Sequence, residues 1–138
     1  MIIPKSIEYE IEMHFIMHKE EKQQIQQLQT DIAEAITPNL DGVGGGGGLS
    51  DPTAQKAAQI ERETKSLRLW VQVVEKTFAR YKGTLEGEYI KHAYVNGSSH
   101  WIELQELMNV GQATVYRKRQ EVLTYAAIKA SEVGLIVF

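Results

Sequence analysis

The stretch LQELMNVGQATVYRKRQEVL, residues 104–123, decides how this chain is read. It begins in a short apolar segment, passes through Asn109-Val110-Gly111, and enters a longer segment carrying Arg117, Lys118 and Arg119 in a row. The spacing predicts a short helix from about His100 to Met108 and a second from Gln112 to about Ser131. Trp101, Ile102, Leu104, Leu107 and Met108 are the apolar residues of the first, and Val115, Val122, Leu123 and Ala126 form the buried side of the second. A short helix, a tight turn containing Gly, and a longer basic helix together make the helix-turn-helix pattern.

In that pattern the second helix offers its N-terminal residues to base edges in the major groove of DNA. Gln112, Ala113, Thr114, Tyr116 and Arg117 occupy those positions. Gln can pair with adenine and Arg with guanine, while Ala or the Thr methyl can touch a thymine methyl. Lys118, Arg119 and Tyr116 can hold phosphates, which adds affinity without sequence information. The blander reading of three adjacent bases is a solvated helix face, and Tyr116 could equally be core.

Upstream, Thr84 is placed to cap a helix bearing Leu85, Tyr89, Ile90 and Ala93, ending near Tyr94 before Asn96-Gly97. Ser98 or Ser99 is placed to cap the helix that follows. Pro4 suits a first helical turn, and no Pro or Gly interrupts the chain from there to about Ile36. Ile7, Ile11, Phe15, Ile25, Leu28 and Ile32, then Ala35 or Ile36, predict one apolar stripe on one long helix. Thr37-Pro38-Asn39 ends it.

The glycine run Gly44–Gly48 lacks the Lys-Ser/Thr and the preceding strand of a phosphate loop, so a flexible connection is expected. Asp51 as N-cap and Pro52 at the first helical position start a helix reaching about Lys82. Its stripe is Ile60, Leu67, Val71, Val74, Phe78 and Tyr81, widened by Leu69, Trp70 and Val73. Two long amphipathic helices predict antiparallel packing within one chain, or pairing across a dimer.

The expected fold is therefore all-α. Residues 1–82 make a helical hairpin with a Gly-rich loop at 37–51, for oligomerisation or partner contact. Residues 83–131 make a three-helix, helix-turn-helix DNA-binding unit. The apolar tail 132–138 docks on the core or on a partner.

Composition narrows the function classes. The 138 residues are 43% hydrophobic, enough for a packed core, and without cysteine they exclude disulfides and thiolate metal sites. The net charge of −3 hides a polarity. Residues 1–36 hold three lysines against seven carboxylates, and residues 52–82 hold seven basic residues against three. Mutual pairing of these two arms is the plain reading of that asymmetry. No apolar run is long enough to cross a membrane, and Glu8, Glu10 and Glu12 argue against a signal peptide.

His14 and His18, four apart with Glu10 one turn earlier, have metal-ligand spacing, but no third ligand follows, so solvated surface is expected. His92 and His100 are isolated. No nucleophile elbow or metal-water motif is present, so the chain reads as a non-enzyme without cofactor or metal.

LQELMNVGQATVYRKRQEVL resembles the C-terminal segment of the RinA/ArpU group of phage transcriptional regulators, with ATVYR at 113–117 the nearest match. The preceding YIKHAYVNGSSHWIELQEL also fits, and the specific likeness covers residues 85–127. The first 80 residues match in plan alone. The resemblance implies a sigma-like helix-turn-helix that activates late phage genes from the cytoplasm of a bacterial host. It implies DNA contact at Gln112, Thr114, Tyr116, Arg117 and Arg119. Double-stranded DNA, host RNA polymerase and a second copy of the chain are the expected partners. The chain departs from the family pattern at Gly111, where Ser is usual, and at Lys118, where a bulky apolar residue is common. A small terminase subunit serving genome packaging is the alternative. A helical interaction protein whose basic segment binds an acidic partner is a third reading.

Overall fold

A computed structural model describes residues 2–36, 51–98 and 100–137 of the chain. The expected all-α class holds: the described residues form helices and no strand. The helices are α1 (Lys5–Ile16), α2 (His18–Ile36), α3 (Asp51–Tyr81), α4 (Leu85–Ile90), α5 (Trp101–Met108) and α6 (Gln112–Glu132), with a π-helical turn, Lys91–Val95, continuing α4. The glycine run, the loop 37–50 and the candidate cap Ser99 lie outside the described residues.

The long first helix expected from Pro4 to Ile36 is divided at Met17, whose φ of −91° and ψ of 9° leave the helical region. No Pro or Gly marks that point. The cause is tertiary: α1 packs on α3, α6 and the π-helical turn, whereas α2 packs chiefly on α3. Phe15, just before the break, stacks on Tyr94 at 5.0 Å and Phe78 at 5.8 Å between ring centroids.

Helix α2 runs antiparallel to α3. His18 and Lys22 reach Glu75 at 3.3 and 3.4 Å, while Gln29 and Ile32 lie beside Glu61, Thr64, Lys65 and Arg68. The two arms thus lie side by side. Among the described residues, however, their ion pairs set His18 and Lys22 of the acidic arm against a carboxylate of the basic arm, not the acidic excess of one against the basic excess of the other. Such surface pairs each contribute at most about 1 kcal/mol. Ile25, Leu28, Ile32, Ile60 and Leu67 are half-buried, and Thr64 fills the gap in the stripe between Ile60 and Leu67.

The main core gathers where α1 and the second half of α3 meet α4 to α6. Ile11, Phe15, Trp70, Val74, Tyr89, Tyr94, Leu104, Val115, Val122 and Leu123 are all buried in one cluster. The predicted buried side of α6 is correct and extends to Ala127 and Ala130. Fully burying such aliphatic side chains contributes roughly 1.5–3 kcal/mol each. On α5 only Leu104 and Met108 are buried; Ile102 and Leu107 are exposed.

Thr84 caps α4 as expected, its Oγ1 accepting from the Gly87 N–H at 3.2 Å. Helix α5 differs: His100 is its N-cap without a side-chain bond, and Ser98 Oγ donates to Glu103 instead at 3.2 Å. At the α5–α6 turn the left-handed residue is Asn109 (φ 56°), whose N–H bonds to the Gln105 and Glu106 carbonyls. Asn tolerates that conformation because its short polar side chain can bond locally. The tail folds back on the core, with Ile136 buried and Leu135 half-buried, while Val137 is exposed.

Candidate nucleic-acid interface

Helix α6 advances about 100° per residue, so three adjacent residues must point in three directions. The basic run obeys this. Arg117 is exposed and has no ion pair with a described residue. Lys118 turns to α4, with its Nζ 2.5 Å from Glu86 and 3.2 Å from Glu121. Arg119 turns to α1, with its Nη2 2.6 Å from Glu12 and 3.4 Å from Glu8.

These contacts set the charge states. Burial opposes the charge on Arg119, but the hydrogen bond and charge of Glu12 more than offset it and hold the guanidinium above its ordinary value. The Glu86 hydrogen bond likewise raises Lys118. Burial acts to raise Glu86, yet the hydrogen bonds from Lys118 and its other neighbours prevail and lower it. Tyr94, pushed well above 10 by burial, donates from its hydroxyl to the second oxygen of Glu12 at 2.9 Å.

The remaining candidates lie at the start of α6. Gln112 and Ala113 are exposed, Thr114 is half-buried, and Tyr116 is 53% exposed. Tyr116 is therefore not core. Its ring tilts against Trp101 of α5 at 6.1 Å, and the two flank an open hollow of about 670 Å³ bordered by Gln112 and Ala113. Gly111 caps the helix through its backbone alone.

Two turns further along, a second open cleft of about 420 Å³ is lined by Tyr81, Arg117, Gln120, Glu121, Thr124, Tyr125 and Ile128. Arg80 lies over the Tyr125 ring at 5.9 Å and Lys129 Nζ at 5.5 Å. Ala113, Arg117, Gln120 and Thr124 thus share one outer side of α6. Gln120 and Thr124 were legible in the sequence, because they stand three and seven residues after Arg117. Arg80 and Trp101 were not, because other helices bring them there.

The histidines are held apart. His14 Nδ1 pairs with Glu21 Oε1 at 2.5 Å and its ring stacks on Trp70 at 3.9 Å, while His18 pairs with Glu75 and meets the edge of Phe78. Neither is the solvated surface residue expected. Among the described residues no group of three possible ligands gathers to hold a metal ion, and no helix is long and apolar enough to cross a membrane. No family model, curated protein or solved structure matches this chain.

Proposed function

We propose that the chain is a sequence-specific double-stranded DNA-binding protein in which α5, the Asn109–Gly111 turn and α6 act as a helix-turn-helix. One observation carries the reading. The start of α6 offers Gln112, Ala113, Tyr116 and Arg117 to solvent, while Leu104, Met108 and Val115 lock the two helices together beneath them. A rigid helix with free amide and guanidinium groups at its N-terminal end is the arrangement that reads base edges. The reading residues are Gln112, Ala113 and Arg117, with Thr114 at their margin and Tyr116 beside a phosphate. Lys118, paired with Glu86 and Glu121, and Arg119, paired with Glu8 and Glu12, hold α6 in place rather than touching DNA. Regulation of phage or prophage late genes, by recruiting host polymerase to a promoter-proximal site, is the biological role that the resemblance supports.

The test is fluorescence anisotropy against DNA flanking the chain's own gene, with scrambled DNA beside it, at two salt concentrations. Preference for the cognate DNA by roughly 10³ or more supports a specific reader. Equal, salt-sensitive binding to both reduces the site to backbone electrostatics. The internal neutralisation of Lys118 and Arg119 favours one second reading, a helical interaction module. Absence of DNA binding even at low salt would select it.

A further inference from the structure

Helix α3 carries more positive charge than the fold uses. Arg62, Lys65, Lys76 and Arg80 are exposed, and none forms an ion pair with a described residue. At about 100° per residue their directions fall within about 60° of arc, so they make one stripe. Glu61, Glu63 and Glu75 point outside that arc. Helix α2 packs along Ile60, Thr64 and Leu67 on the far side of α3, so its acidic residues leave the stripe uncovered. Gln72, exposed beside the stripe, adds a neutral donor.

The stripe ends at the proposed reading helix. Arg80 lies over the Tyr125 ring at 5.9 Å, and Tyr125 lines the same open cleft as Arg117, the α6 cation left without an ion pair. From Arg62 to Arg80 the axis advances about 27 Å at about 1.5 Å per residue. A DNA strand sets one phosphate per about 3.4 Å of its own axis, so that length matches about eight successive phosphates. An acidic protein would need an apolar anchor among the charges. Between Arg62 and Arg80 the arc holds only Leu69 of that kind, and it is half-buried.

Given the DNA-binding reading above, on which this rests, we infer that the Arg62–Arg80 stripe of α3 holds the phosphate backbone of the duplex that α6 reads. The contact extends about eight base pairs beyond the helix-turn-helix. The long arm thus supplies affinity without sequence information.

The test is fluorescence anisotropy of the full chain on long duplexes, one from the DNA flanking its own gene and one scrambled, across a salt series, with hydroxyl-radical footprinting of the first. Arg62→Gln combined with Lys76→Gln should lower the log–log salt slope by about 2 and weaken binding to both duplexes alike. It should also shorten the footprint on one side. Lys56→Gln combined with Arg68→Gln removes the same charge from exposed positions outside the arc, and should leave slope and footprint at their original values. Far-UV circular dichroism should be unchanged in both, because all four side chains are exposed. An equal loss in the two variants overturns the inference, as does a chain that binds no DNA at low salt. An unchanged slope in the first variant, with sequence preference intact, overturns it while sparing α6, and leaves the stripe to an acidic protein. Equal binding of the unaltered chain to both duplexes, with the slope still lowered in the first variant, sinks base reading by α6 and leaves the stripe standing.

Discussion

Arg119 of α6 and Glu12 of α1 lie 107 residues apart in sequence and 2.6 Å apart in space. The Tyr94 hydroxyl occupies the other oxygen of the same carboxylate, so one acidic side chain ties together α1, α6 and the π-helical turn. Both partners of the ion pair are less than a quarter exposed. Removing either leaves a charge that water reaches poorly. Glu12→Gln and Arg119→Ala should each cost about 1–3 kcal/mol of unfolding free energy in urea. The double variant should cost less than the two together, and a coupling energy near zero would show the bridge to be idle.

Glu86 and Lys118 give the stability a pH window. Glu86 is held below its ordinary 4.5, so its contribution is present above that value and is lost as pH falls through the lower folded value. Lys118 is held above its ordinary 10.5, so its contribution is complete below 10.5 and is lost as pH rises through the higher folded value. Thermal melts between these limits should show little pH dependence from this pair. Glu86→Gln should flatten the acid limb, and an unaltered limb would count against the pairing.

Two glycines should respond oppositely to a side chain. A Cβ at Gly87 would lie 2.3 Å from the Tyr81 carbonyl oxygen, so that backbone would have to move. Gly87→Ala should destabilise by about 1–3 kcal/mol although Ala is the better helix former. A Cβ at Gly111 would meet nothing within 4 Å, and its φ of −79° suits any residue. Gly111→Ser should stabilise by a few tenths of a kcal/mol, roughly the advantage of a serine cap over glycine. Calorimetry that ranks the two changes the other way would contradict this account.

The basic run should separate by function under mutation. Arg117→Ala should leave the melting temperature unchanged and reduce discrimination between cognate and altered DNA by about 1–3 kcal/mol. Arg119→Ala should lower stability first. Arg80→Gln, beside the Tyr125 cleft, should weaken binding to all sequences alike and reduce the log–log salt slope by about 1. An unchanged slope would remove Arg80 from the proposed interface while leaving the proposed reading by Arg117 standing.

The all-α class, the Thr84 cap and the buried side of α6 were legible in the sequence. Each depends on residues within a few positions of one another, through helical periodicity and local hydrogen bonds. The break at Met17 and the π-helical turn carried no such signal, whereas Asn109 stands where a helix-ending Asn favours the left-handed conformation. The break answers to packing: α1 is drawn onto α6 while α2 stays along α3. The charge run shows the same division. Sequence alone placed Arg117, Lys118 and Arg119 together on one helix, and the helical rotation implied that they diverge. Which of them stayed free was decided by Glu86 on α4 and by Glu8 and Glu12 on α1, carboxylates that only the tertiary structure brings within reach.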